Sequence, residues 1–166
     1  MKLRTLFFVG AALLAVMGPA LADPVCSKLA WPLDTERALL NGSVDAVPSG
    51  ETRKAMPVRA LSLMLNPGAK ADLPFAPAKP ADPAKFAGFV ILPVASAGDY
   101  LVSLSAEGWI DAVQDGVSIA SSAHTSDGNC PGLRKSVRFT LTAKPLTLQI
   151  SNAPADHIEI AITPAK

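Results

Sequence analysis

From Gly88 to Ile162 the chain alternates apolar and polar residues, and that alternation restricts it to one fold class. Four stretches carry the pattern most clearly: Asp99–Ala106, Lys135–Thr142, Pro145–Ser151 and His157–Ile162. Tyr100, Val102 and Leu104 share one face of the first, and Val137, Phe139 and Leu141 one face of the second. Leu146, Leu148 and Ile150 follow on the third, then Ile158, Ile160 and Ile162 on the fourth. A period of two turns one face to a core and the other to water. Repeated over short runs broken by turns, it predicts an all-β domain, an antiparallel β-sandwich or jelly roll of about seven to nine strands.

The flanking segments extend this reading. Val58–Leu65 brings Leu61, Leu63 and Leu65 to one face and is the first clear strand, followed by the turn Asn66-Pro67-Gly68. Ala71–Phe75 is a shorter strand candidate, and the apolar run Ala87–Val94 suits a strand covered on both faces. Asp115-Gly116 between Trp109–Val113 and Val117–Ser121 predicts a tight hairpin. Ala76–Lys85 (APAKPADPAK) holds prolines that cannot donate to a ladder, so it reads as an exposed loop or an extended edge segment. Ser122–Gly132 reads as a long polar loop. Upstream, Pro32–Gly42 predicts one short helix, acidic in its first turn and stopped by glycine, packed as a lid on the sandwich or its rim. The expected organisation is a helix and connector over 23–57, with Ser43–Pro57 as the connector, and the sandwich over 58–166.

The first residues read as a secretory signal peptide over 1–22. Lys2 and Arg4 precede an apolar run from Leu6 to Met17 and the small-residue pattern Ala20-Leu21-Ala22. That run is too short for a bilayer, which takes about 20 residues. Cleavage after Ala22 is expected to leave a mature chain from Asp23, periplasmic or secreted, with no membrane span after cleavage. Lys and Arg total 15 against 14 Asp and Glu, and two of the bases lie in the leader. The remaining chain is near neutral without a basic patch, which excludes nucleic acid as an expected partner. Cys26 and Cys130 are the two cysteines, and in an oxidising compartment they predict one disulfide.

Catalytic and cofactor motifs are absent. No G-x-S-x-G elbow, glycine-rich phosphate loop or C-x-x-C pair occurs, so neither catalysis nor a cofactor is expected. Ser121, Ser122, His124 and Asp127 crowd one segment, which is ordinary turn composition. Asp111, Asp115, His124 and Asp127 are oxygen-rich as a set, but their spacing matches no established calcium loop, and no metal is expected. The informative pair is Trp109 and Asp111, which point to the same side of a strand. If Ile110 faces the core, an aromatic ring stands exposed beside a carboxylate, a platform for a sugar or a peptide. Val113 shares that side, so the competing reading packs Trp109 in the core or at its rim. The candidate ligand-binding residues are therefore Trp109, Asp111 and His124. Arg134, Lys135 and Arg138 read as a solvated sheet face.

The segment Gly98–Gly116 (GDYLVSLSAEGWIDAVQDG), with Ser136–Leu141 (SVRFTL) following the same grammar, resembles bacterial pre-peptidase C-terminal domains. The resemblance spans about Gly88–Ile162, roughly half the chain, through a turn, a Gly-x-Tyr strand opening and a second Asp-Gly turn. It implies a small β-sandwich or jelly-roll module of the kind appended to secreted enzymes, serving secretion, localisation or substrate binding. Here it implies a free-standing module. The resulting expectation is a non-catalytic binding or accessory module whose partner is a protein or carbohydrate of the envelope or the cell exterior. The alternative class is a structural, envelope-associated interaction domain working through sheet edges or the Pro/Ala arm.

Overall fold

The computed structural model describes residues 26–165, so the expected signal peptide lies outside the described residues. Among those residues one α-helix, α1 (Asp34–Leu40), precedes eleven strands. These are β1 (Val44–Val47), β2 (Ala60–Met64), β3 (Asn66–Pro67), β4 (Phe86–Pro93), β5 (Gly98–Leu104) and β6 (Trp109–Gln114), then β7 (Val117–Ile119), β8 (Ser121–Ser126), β9 (Lys135–Leu141), β10 (Pro145–Ala153) and β11 (His157–Pro164). They form two sheets, one of six strands ordered β1-β2-β11-β5-β9-β8 and one of five ordered β3-β4-β10-β6-β7. The fold is an all-β sandwich with one short helix.

The alternating faces meet between the sheets. Every apolar residue assigned inward on β5, β9, β10 and β11 lies in a single core cluster, joined by Leu61 and Leu63 from β2 and Val90 and Leu92 from β4. Leu148 and Ile150, fully buried on the central strand β10, anchor it. The Asp115-Gly116 turn has positive φ at both residues, 51° and 76°, as a two-residue hairpin requires.

The outer faces are covered too. On the six-stranded sheet, Leu101 and Ala161 point outward and meet Leu33 and Leu40 of the helical segment. The Cys26–Cys130 disulfide belongs to the same outer cluster and ties the N-terminal segment to the loop before β9. Glu36 of α1 accepts a hydrogen bond from the Thr163 hydroxyl of β11. The helix thus packs on a sheet face.

On the five-stranded sheet the Pro/Ala segment crosses the outer face, held by side chains of the strands beneath. Gln149 accepts from the Phe75 N–H (3.0 Å) and donates to the Phe75 carbonyl (3.2 Å). Asn152 accepts from the Asp82 N–H (2.7 Å) and donates to the Pro80 carbonyl (3.2 Å). Asn152 sits at a bulge in β10 with φ 59°, which turns its amide toward the segment. The side chains of Ala76–Lys85 are mostly exposed, as expected, but the backbone is a strap over a face and not an edge strand.

Several expectations are corrected. The connector Ser43–Pro57 contains β1, which pairs in parallel with β2, and its Gly50–Arg53 stretch bonds to Phe89 and Ile91 of β4 beyond the short β3. Val44–Val47 is too short to show a period, and only its tertiary partner makes it a strand. Val58 falls outside β2 and is exposed. Ala71–Phe75 is not a strand; Asp72 adopts a positive φ of 40° and breaks it. The polar loop Ser122–Gly132 begins instead as the edge strand β8, which pairs with β9 through its backbone and has no apolar face to reveal it.

Candidate functional site

Where β7 ends, the chain leaves the five-stranded sheet at Ala120 and enters β8 of the other sheet. β7 covers β6 only over Ala112–Gln114, so Trp109–Asp111 has a strand neighbour on one side, β10, and none on the other. The two sheets part at this place. A groove of about 610 Å³ opens there, lined by Trp109, Ile110 and Asp111 on one wall and by His124, Lys135 and Phe139 on the other.

Trp109 and Asp111 project from the outer side of β6, because Ile110 and Ala112 belong to the core. The indole N–H donates to Asp111 Oδ1 at 3.0 Å, which holds the ring in place. The same oxygen accepts from the Ala78 N–H of the strap at 3.3 Å. Asp111 is only 6% exposed, yet its Oδ2 has no hydrogen-bond partner. Ser151, the cross-strand neighbour of Trp109 on β10, likewise has a buried hydroxyl without a partner. Burying a polar atom unpaired costs about 1–3 kcal/mol, and native proteins seldom leave one so. Trp109 itself is 37% exposed, so it stands at the rim and not in the core; Val113 on the same side is buried.

Two ammonium groups flank the ring, Lys135 at 5.7 Å and Lys79 of the strap at 6.0 Å from its centroid. Lys135 leads the inward row of β9, in phase with Val137 and Phe139, and its Nζ donates to the Gly108 carbonyl at 3.0 Å across the gap between sheets. Burial pushes the Lys135 pKa below its ordinary 10.5; Glu107 opposes that, and Lys79 and Arg134 add to it. The chain matches no protein-family model, no curated protein and no solved structure.

The three candidate residues thus line one groove, with His124 exposed on the edge strand β8. The remaining acidic candidates lie apart in other contacts. Asp115 pairs with Lys144 beside the hairpin turn. Asp127 accepts from the backbone N–H of Asn129 and of Lys28, which shapes the cysteine loop. Among the described residues no three of His, Cys, Asp and Glu gather as metal ligands. The described residues also hold no helix long and apolar enough to cross a membrane.

Two residues of the basic cluster depart from the solvated face expected of them. Arg138 lies over Trp31, 5.2 Å from its ring centroid, and its Nε is buried, because the N-terminal segment covers that face. Lys135 belongs to the groove. Its register was the signal: a lysine two residues before Val137 falls on the inward row. Lys79 carried no such signal, since only the strap's path brings it to Trp109.

Proposed function

We propose that this chain is a non-catalytic binding or accessory module of the periplasm or cell exterior, and that it holds its ligand in the groove at Trp109, Asp111 and His124. One observation carries the reading. A buried carboxylate fixes an exposed indole with one oxygen and keeps the other without a protein partner, at the stretch of β6 that β7 leaves uncovered on one side. An aromatic ring held rigid offers a large contact area at small entropic cost. A disulfide-bonded cysteine pair favours an oxidising compartment. The resemblance to pre-peptidase C-terminal domains supports the same class of function.

The test uses oxidised Asp23–Lys166 as bait in a native envelope or secreted fraction, with a glycan array run on the same sample. Trp109→Ala is expected to weaken whichever ligand is recovered by more than about tenfold, the loss typical of a central aromatic contact. The ring stands outside the core cluster but donates to the buried Asp111, so the variant is expected to stay folded with a thermal midpoint lowered by a few degrees. Undiminished binding by Trp109→Ala would remove the groove from the function.

A further inference from the structure

Consecutive residues of a strand turn their N–H and C=O groups to opposite sides. In a two-residue hairpin the residues flanking the turn face each other, here Gln114 and Val117, and the pairing recurs two residues on at Ala112 and Ile119. Ile110 has the same parity, so its N–H and C=O point to the side of β7, beyond the end of that strand. The alternation can be checked across the sheet. It turns Phe89 and Ile91 of β4 away from β10, and both accept there from Gly50 and Arg53, while the Ile91 N–H donates to Glu51. Gly108, just before β6, gives its carbonyl to the Lys135 ammonium.

The line of β7 therefore continues as an open lane. Ile119 stands at one end and the Lys135–Gly108 contact at the other. Between them the backbone N–H and C=O of Ile110 face the groove and have no protein partner among the described residues. Backbone donors and acceptors taken out of water are nearly always paired. Trp109–Asp111 spans about 10 Å of strand at roughly 3.3 Å per residue, which is room for about three residues.

We propose that this lane binds a short extended peptide segment, which continues β7 and pairs with Ile110 through its own N–H and C=O. The proposal rests on the binding reading above and names its ligand class. Register sets the recognition. The residue opposite Ile110 turns its side chain inward, toward Val137 and Phe139, so it is apolar. Its neighbours turn outward: the one opposite Trp109 meets Lys79 and Lys135, so it is acidic, and the one opposite Asp111 meets a carboxylate oxygen without a partner, so it carries a hydroxyl donor. The partner is then a protein presenting a hydroxyl–apolar–acidic strand, a mode of recognition in which main-chain bonds give affinity and alternate side chains give specificity.

The probe is the peptide acetyl-Ala-Ser-Ile-Glu-Ala-amide at millimolar concentration, added to ¹⁵N-labelled, oxidised Asp23–Lys166. The Ile110 amide resonance is expected to move downfield, and its hydrogen exchange to slow by about tenfold or more as the bond forms. The same peptide N-methylated at its central residue, which lacks the donor, is expected to leave Ile110 unmoved. An Ile110 amide untouched by the first peptide, or equal binding of the N-methylated one, overturns the proposal. Trigalacturonate serves as the second probe. If it alone shifts Trp109 and His124, strand pairing is overturned while the binding reading stands. If neither probe shifts any residue of the groove, both fall.

Discussion

Lys135 shows how a single residue joins the two sheets at the groove. Its stem runs with the apolar row of β9, and its ammonium replaces a missing strand at the Gly108 carbonyl. Burial disfavours its charged form first; Glu107 restores part of that, and Lys79 and Arg134 work against it. The sign follows directly. A lysine that titrates lower when folded than unfolded costs stability wherever it stays charged in the fold. That cost is present below the folded pKa and is relieved as pH climbs from there toward 10.5, the unfolded value. Competitive acetylation across a pH series is expected to give Lys135 a half-reaction point below 10.5, and an acidic ligand in the groove is expected to raise it. A half-reaction point at or above 10.5 without ligand would place the ammonium in water instead.

At the scale of elements, the strap explains why two central strands carry polar residues on their outer faces. Gln149 on β10 is fully buried beneath a segment of small and proline side chains, and it satisfies both backbone groups of Phe75. Asp111 and Asn152 hold the same segment at Ala78 and at Pro80–Asp82. Gln149→Leu is expected to cost about 1–3 kcal/mol, because the Phe75 groups lose their partner. It is also expected to speed hydrogen exchange at the Phe75 amide while β10 amides facing β4 stay protected. Unchanged exchange at Phe75 would mean that the strap is held by its own prolines. The strap also marks what the sequence could reveal. Strands β5, β9, β10 and β11 were legible because each has one face in the core and one outside it. β8 was not, because an edge strand held by backbone bonds needs no apolar row, and β1 was not, because four residues carry no period. Trp109 and Asp111 were legible as a pair from strand geometry alone. Lys79 was hidden, since its approach to Trp109 depends on bonds between residues far apart in the chain.

The whole molecule is a stack: N-terminal segment and helix, six-stranded sheet, core, five-stranded sheet, strap. The Cys26–Cys130 disulfide spans 104 residues of sequence and fastens the first layer to the second, whereas the groove lies where the two sheets part. A crosslink over so long a loop restricts the unfolded chain strongly, by about 4–5 kcal/mol in the loop-entropy account and often less in practice. The covered face adds to this, because Leu101, Ala161 and Leu133 meet water if the segment lifts away. Reduction, or the double variant Cys26→Ser with Cys130→Ser, is expected to cost about 2–5 kcal/mol. At about 2–4 °C per kcal/mol for a domain of this size, the thermal midpoint is expected to fall by roughly 4–20 °C. The groove is built from β6, β8, β9 and the strap, and its floor belongs to the inter-sheet core, so a reduced protein that remains folded is expected to keep its ligand affinity. Calorimetry with and without reductant, paired with titration of the ligand below the lower midpoint, reads both quantities. A midpoint indifferent to reduction would show that the outer layer holds by packing alone. A midpoint drop together with lost binding would show instead that the first layer reaches the groove through β9, whose outer side it covers at Arg138.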